Sequence, residues 1–207
     1  DFRNDFNKKD LARIRRNLSI GEDSYLITFF SQAIKKVIDK DSDNKSRGYN
    51  ELTVLRLLES ALYELNIDNL DLLIKLHPKE DLESTQNAFS GKLDKVIFDK
   101  GYHPRKTILI SNLVTGMFST SLIESLYLGK DVVSIQPNIM VEDTLVTNRI
   151  GLSIPVYREG DLKPTLQKVV YDQEFKKGLE ERRSKLVLDG KATKRVVSTV
   201  YKLLNLN

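Results

Sequence analysis

The chain has 207 residues, of which 40% are hydrophobic and 30% charged, so it is large and apolar enough to bury a core. Its 33 basic residues barely exceed its 29 acidic ones, and the net charge of +4 gives little support for binding nucleic acid. The absence of cysteine excludes disulfides and thiolate metal sites, and it favours a reducing compartment. No apolar run approaches the roughly 20 residues that a membrane span needs. We therefore expect a globular cytoplasmic protein.

Short apolar runs alternate with segments of helical periodicity along the chain. Asn50, with Thr53 three residues later, is a suitable N-cap for one such helix, and the polar stretch 39–50 before it has the composition of an exposed loop. The predicted strands cover 23–32, 70–78, 95–100, 107–112, 131–137 and 151–157. The predicted helices cover 9–20, 50–65, 119–129, 161–172, 174–188 and 191–204.

This alternation predicts an α/β fold, a doubly wound, Rossmann-like parallel sheet of about five or six strands with helices on both faces and further helices at the C-terminus. We interpret residues 1–20 as a linker and helix from a preceding domain, and residues 21–207 as one nucleotide-binding domain. Arg13, Arg15 and Arg16 in the first helix could face an anionic membrane, but a solvated helix face is the preferred interpretation.

Ligands of such folds bind beyond the carboxyl ends of the strands, which directs attention to four loops. One of them, SNLVTGMFSTS, ends at a helix start that carries Ser119, Thr120 and Ser121. Hydroxyls and free N–H groups at a helix N-terminus can bind phosphate. The alternative is ordinary capping, because Ser121 and Glu124 fit a capping box. Glu124 could also accept hydrogen bonds from a ribose.

His77 ends the strand predicted at 70–78, on the ligand side of the sheet. It could simply close the core with a ring N–H bonded to a carbonyl, or it could donate to a phosphate and protonate a leaving oxygen. Lys79, Glu80 and Asp81 after it are expected to be exposed. His103 has the same following proline, but it precedes the strand predicted at 107–112, which would place it at the opposite edge as a surface turn residue.

Several common sites find no support in the sequence. Two histidines without cysteine, and without H-x-x-x-H or EF-hand spacing, give no zinc or calcium motif. Neither G-x-x-x-x-G-K-[ST] nor G-x-G-x-x-G occurs, so P-loop and dinucleotide-binding interpretations lose their main evidence.

A combination of segments resembles a known family. KLHP at 75–78, SLIESLYLGKDVVSI at 121–135 and DGKATKRVVSTVYKLL at 189–204 are similar to the C-terminal, nucleotide-sugar-binding half of GT-B-fold glycosyltransferases. Within this group the chain most resembles bacterial sialyltransferases and CDP-glycerol-type polymer transferases. Non-hydrolysing UDP-N-acetylglucosamine 2-epimerases share the architecture. The resemblance extends over roughly residues 20 to 205.

The resemblance implies a role for each matching position. His77 would contact the donor phosphate and assist departure of the nucleotide, and Glu124 would bind the ribose. The remaining implied nucleotide or phosphate contacts are Ser31, Gln32, Ser119, Thr120, Ser121 and Gln136.

The resemblance also implies a function and partners. The chain would be the donor-binding domain of a glycosyltransferase that uses a CMP-, CDP- or UDP-linked sugar in surface polysaccharide or glycoconjugate synthesis, with no metal or other cofactor. An acceptor domain that carries the general base would be its partner, and association with the inner face of the membrane stays open. The alternatives are half of a UDP-sugar 2-epimerase and a non-catalytic nucleotide-binding or interaction module.

Overall fold

The computed structural model describes residues 7–37, 47–186 and 189–204. Its centre is a six-stranded parallel sheet in the order β3-β2-β1-β4-β5-β6, which confirms the predicted doubly wound class. Most of the exposed loop predicted at 39–50, and the end of the helix predicted at 174–188, lie outside the described residues. The strands are β1 (Tyr25–Phe30), β2 (Leu70–Lys75), β3 (Val96–Asp99), β4 (Leu113–Gly116), β5 (Asp131–Ile135) and β6 (Ile154–Val156).

Helices connect these strands, and a short 3-10 turn at Glu159–Asp161 precedes the C-terminal ones. Asn50 caps the helix at Glu51–Leu65 as predicted. Its side chain accepts the Thr53 N–H, and its own backbone N–H donates to the Thr53 hydroxyl. The helices are α1 (Lys8–Asn17), α2 (Ile34–Val37), α3 (Glu51–Leu65), α4 (Leu82–Gln86), α5 (Pro104–Ile110), α6 (Thr120–Tyr127), α7 (Val146–Arg149), α8 (Leu162–Tyr171), α9 (Gln173–Ser184) and α10 (Ala192–Leu203).

Alternate residues of β1 serve the two faces of the sheet. Ile27 and Phe29 are buried in a cluster with α3 and α8, whereas Leu26 packs with α1 and α5 and Phe30 packs with α6. Full burial of such side chains stabilises the fold by about 1.5–3 kcal/mol each. The near-continuous apolar strands follow from this, because a parallel sheet is covered on both sides.

The sheet register brings three strand ends to one level. Phe30, the last residue of β1, is paired with Lys75 at the end of β2 and with Gly116 at the end of β4. The chain runs from β1 to β2 and β3 on one side and then crosses to β4 on the other side of β1, so the gap between β1 and β4 is the point where the strand order reverses. In open α/β sheets, ligands bind beyond this point.

The prediction of a strand at 107–112 is wrong, because most of this segment is helical. His103 caps a helix there and Pro104 stands in its first turn, so the β-branched run forms α5, and β4 follows at Leu113–Gly116. Thr107, Ile108 and Ile110 are buried on the helix, and this tertiary packing outweighs their preference for a strand.

The first helix, α1, packs against the sheet domain. Ile14 is buried against α5, and the Arg15 guanidinium donates to the carbonyls of Ile110, Gly21 and Ser24. Burial lowers the pKa of Arg15, which stays positively charged at any ordinary pH. The boundary at residue 20 stays a prediction. Within the described part of the chain, no helix is both long and apolar enough to cross a membrane.

Candidate functional site

A buried carboxylate joins the loops that follow β1 and β2. The Ser31 hydroxyl donates to Oε1 of Glu80 at 2.5 Å, and the His77 backbone N–H donates to Oε2 at 2.6 Å. The Ser31 N–H also continues the sheet by donating to the Lys75 carbonyl at 3.0 Å. The predicted residues Ser31 and His77 are therefore brought together, with Glu80 between them.

Glu80 itself was wrongly predicted to be exposed. Only 6% of its surface is accessible, and burial raises the pKa of its carboxyl although the hydrogen bonds from Ser31 and His77 oppose the shift. Asp81 is exposed as predicted and caps α4 through the Ser84 N–H. The sequence signal for Glu80 was weak, because its burial depends on a partner, Ser31, in the loop after another strand.

The His77 ring is held in one tautomer. Its Nδ1 accepts the backbone N–H of Lys79 at 3.1 Å, so the proton of the neutral ring lies on Nε2. Among the described residues no acceptor takes this proton. His77 is partly buried and lies two residues beyond the end of β2, which makes Nε2 a donor at the carboxyl edge of the sheet.

The prediction for His103 was wrong about its location. It follows β3 and caps α5, so it belongs to the carboxyl edge rather than the amino edge of the sheet. Its Nδ1 accepts the Arg105 N–H at 3.3 Å, which repeats the local geometry of His77 and Lys79. The difference between the two histidines lies in their surroundings, since His77 adjoins the β1 loop and His103 follows the outermost strand β3.

Gln32 bridges the two loops at the reversal point. Its Oε1 accepts the Phe118 N–H at 2.9 Å, which joins the end of β1 to the start of α6. Gly116 lets these elements approach, because a Cβ there would lie 3.0 Å from the Phe30 carbonyl oxygen and 3.1 Å from the side chain of Leu122. The loop predicted to hold phosphate is thus fixed by its neighbours.

The start of α6 differs from the predicted capping box. Ser119, not Ser121, is the N-cap, and its hydroxyl accepts the Ser121 N–H at 3.2 Å. Glu124 lies 3.6 Å from the Arg105 guanidinium instead of closing on Ser121. A ribose would have to share Glu124 with Arg105, and the ribose contact stays a prediction.

Ser119 and Thr120 keep positions that suit an anion. Ser119 is partly buried and Thr120 is exposed at the first turn of α6. The first N–H groups of a helix have no partner within the helix, and the positive end of its dipole favours negative charge. The hydroxyls and the helix start therefore lie beside the Gln32 bridge, at the reversal point of the sheet.

Gln136 is fully buried and its side chain is occupied. Its Oε1 accepts from Tyr49 at 2.8 Å, and its Nε2 donates to Ser134 and to Asp143 at 3.0 and 2.9 Å. Burial and this network fix the loop that follows β5. A nucleotide contact of Gln136 stays a prediction, and any such contact would need to displace a buried partner.

Lys75 is a residue that sequence reasoning overlooked. Its ammonium contacts Asp99 Oδ2 at 2.8 Å and the Tyr102 carbonyl, with both charged side chains almost fully buried. Asp99 also accepts the N–H groups of Gly101 and Tyr102. A lysine and an aspartate ending two neighbouring apolar strands were the available signal, because parallel pairing places them side by side.

A cavity of about 720 Å³ opens at the other edge of the sheet. It is lined by the amino ends of the first strands, including Ser24, Asp71 and Lys95, and by none of the predicted site residues. Asp71 and Lys95 form an ion pair there at 3.0 Å. In residues 7–37, 47–186 and 189–204, no group of three or more histidine and carboxylate side chains could hold a metal ion.

No family model matches the chain, and no curated protein matches it in sequence. Solved structures do share its fold. A glycosyltransferase from Rickettsia africae has 13% identity and a TM-score of 0.64, over 89% of this chain and 48% of that one. A UDP-N-acetylglucosamine 2-epimerase has 12% identity and a TM-score of 0.59, over 99% and 48%. The wall teichoic acid polymerase TagF has 14% identity and a TM-score of 0.58, over 98% and 48%.

The chain thus spans about half the length of the solved proteins that it matches. At this low identity the likeness establishes the fold alone, a Rossmann-like domain that the similar glycosyltransferases and UDP-sugar epimerases also contain. The resemblance stated from the sequence is confirmed at that level. Nothing in these similarities is specific to sialyltransferases.

Proposed function

We propose that this chain is the donor-binding domain of a glycosyltransferase that uses a nucleotide-activated sugar. The observation that carries the proposal is the meeting of Ser31, Gln32, His77 and Ser119 at the reversal point of a sheet shared with such enzymes. A function in surface polysaccharide or glycoconjugate synthesis, in the cytoplasm or at the inner membrane face, belongs to the same proposal. So does the need for an acceptor domain.

The chemistry follows from the donors at this edge. An acceptor oxygen, which loses its proton to the general base, forms a bond to the anomeric carbon while the bond between that carbon and the phosphate oxygen breaks, and negative charge grows on the departing phosphate. The Nε2–H of His77, the hydroxyls of Ser119 and Thr120, and the start of α6 would stabilise that charge as it develops. With these donors in place the proposed transfer requires no metal. The general base would come from the acceptor domain.

Titration calorimetry with CMP, CDP and UDP tests the proposal. We expect at least one of these nucleotides to bind the chain, and His77→Ala and Ser119→Ala to weaken its binding. Replacement of His103 by alanine is the matched control, because His103 has the same local geometry outside the proposed site. Unchanged binding in both His77→Ala and Ser119→Ala would refute the assigned site, and absence of binding by the unmodified chain would refute the proposed function.

Half of a UDP-sugar 2-epimerase is the second candidate, since such an epimerase shares the fold over 99% of this chain. An epimerase also needs groups that abstract a proton from the sugar, and these would lie on another part of the enzyme. NMR analysis after incubation with UDP-N-acetylglucosamine separates the two activities, because an epimerase changes the configuration of the sugar while it remains attached to UDP. Binding of a nucleotide without any turnover, with an acceptor domain present, would favour a non-catalytic module.

A further inference from the structure

An arginine outside all the predicted positions lies beside the start of α6. The Arg47 guanidinium carbon is 3.9 Å from the centre of the Phe118 ring, and Phe118 immediately precedes the N-cap Ser119. The Phe118 N–H is itself held by Gln32. A planar cation is therefore stacked on the residue that joins the β4 loop to the helix start.

The backbone around Arg47 fixes this position. Gly48 has a φ of +89°, and a Cβ there would lie 2.1 Å from the Asn138 carbonyl oxygen, so only glycine allows this close approach. The Arg47 carbonyl accepts the Met140 N–H at 3.0 Å. The segment before α3 is thereby attached to the loop after β5, and Arg47 is brought over the carboxyl edge of the sheet.

Among the described residues no carboxylate lies within 4.0 Å of the Arg47 nitrogens, in contrast to the ion pairs of Arg105, Arg158 and Arg183. The guanidinium also interacts with the Tyr49 hydroxyl, but its Nη1 is buried and has no hydrogen-bond partner in the part of the chain that the structure describes, although the side chain as a whole is only partly buried. An unpaired buried donor costs free energy, and an anion that accepts from it removes that cost.

We propose that Arg47 binds a phosphate of the nucleotide-activated donor. This inference rests on the proposed function and adds a cation to the proposed phosphate contacts, which are otherwise neutral donors and a helix dipole. Arginine stacked on an aromatic ring keeps its fork of N–H groups oriented for phosphate oxygens, which a lysine cannot reproduce. As the phosphate departs with its added negative charge, Arg47 would remain in contact with it.

NMR titrations of the chain with UDP and with uridine test this proposal, because the two ligands differ only in the phosphates. We expect Arg47→Gln to weaken binding of UDP by about tenfold to a hundredfold, as for a lost hydrogen bond to a charged group, and to leave binding of uridine unchanged. Arg56→Gln is the matched control, since it removes an equal charge from an exposed position on α3. CDP and CMP replace UDP, with cytidine in place of uridine, if the chain prefers cytosine.

The outcomes separate the two levels of the proposal. If the unmodified chain binds none of the nucleotides, the proposed function fails and the role of Arg47 fails with it. If the chain binds nucleotide and Arg47→Gln binds it equally well, or loses UDP and uridine to the same extent, only the role of Arg47 is overturned. Should Arg47→Gln fail to fold, Arg47→Lys retains the charge but not the planar fork, and we expect it to weaken binding of UDP more than binding of uridine; an equal effect on the two ligands would overturn the role of Arg47.

Discussion

Ser31 and Glu80 are 49 positions apart in the chain and share a buried hydrogen bond of 2.5 Å. The other oxygen of the same carboxylate accepts the His77 N–H, so one side chain sets the spacing between the β1 and β2 loops. Glu80 therefore acts on the proposed site by positioning His77. Its loss would disturb the site even though Glu80 need not touch a ligand.

We expect Glu80→Ala to destabilise the fold by about 2–3 kcal/mol, because it leaves the Ser31 hydroxyl and the His77 N–H without their acceptor. Glu80→Gln can satisfy both by accepting from His77 and donating to Ser31, and it should cost much less. Urea unfolding at neutral pH measures both changes. An equal loss in the two variants would show that the charge of Glu80, and not its hydrogen bonds, holds the loops.

The raised pKa of Glu80 adds a pH dependence of defined sign. Because the folded state binds this proton more tightly than the unfolded state, its contribution to stability is complete below the ordinary carboxyl pKa and is lost as the pH rises through the raised value. The stability of Glu80→Gln relative to the unmodified chain should therefore improve as the pH rises through that range. Glu83→Gln, from an exposed position in α4, is the control in the same unfolding series. If the relative stability of Glu83→Gln rose with pH in the same way, the change in Glu80→Gln would reflect the overall charge of the protein and not the raised pKa of Glu80.

The buried pair of Lys75 and Asp99 gives the third prediction. Lys75→Met should cost about 3–5 kcal/mol, because it leaves the Asp99 carboxylate buried without its cation. Lys75→Met combined with Asp99→Asn should recover part of that loss, and a double-mutant cycle from chemical unfolding measures the coupling. The exposed pair of Lys163 and Glu64, with the same kind of contact at 3.0 Å, is the control. Lys163→Met should change stability by less than about 1 kcal/mol.

The alternation of apolar runs and helical periods was enough to predict the doubly wound sheet, since each parallel strand must be apolar on both faces. The segment that became α5 was not predictable in this way. The local preference for a strand comes from Thr107, Ile108 and Ile110. The segment forms a helix because His103 caps its start and because it packs onto β1 and α1. The true strand, β4, has four residues and no pattern of its own.

The candidate site was predictable only in part, for a related reason. Strand ends can be placed from topology, which located His77 and Ser119 at one edge of the sheet. The burial of Glu80 and the stacking of Arg47 on Phe118 depend on contacts between distant segments, and no local period marks them. The two His-Pro pairs show the same limit, because their local hydrogen bonds are alike and only long-range packing separates them.

Two glycines should respond to alanine in opposite directions. Gly48→Ala should destabilise the fold by more than about 1 kcal/mol, because its φ is positive and a Cβ would meet the Asn138 carbonyl. Gly178→Ala, in the middle of α9 with open space around it, should stabilise the fold by about 0.5–1 kcal/mol. Thermal unfolding of both variants checks the pair. A neutral Gly48→Ala would contradict the close contact between the Arg47 segment and the β5 loop.

Asp143 supplies the last prediction, because it collects four hydrogen bonds beside the proposed site. It accepts from the side chains of Gln136, Asn148 and Tyr157 and from the Leu145 N–H. Burial acts to raise the pKa of its carboxyl, but these hydrogen bonds outweigh burial and the pKa is lowered. For an acid with a depressed pKa, the stabilisation is present above its ordinary pKa and is lost as the pH falls through the folded value.

Asp143→Asn should therefore destabilise the chain at neutral pH, since an amide cannot accept from four donors, and the difference should shrink as the pH falls through the acidic range. Urea unfolding of the two proteins at a series of pH values measures that convergence. Asp68→Asn, at an exposed position, controls for the loss of one negative charge. A constant difference between Asp143→Asn and the unmodified chain at every pH would mean that the network stabilises the loop through shape alone and that the charge of Asp143 contributes nothing to it.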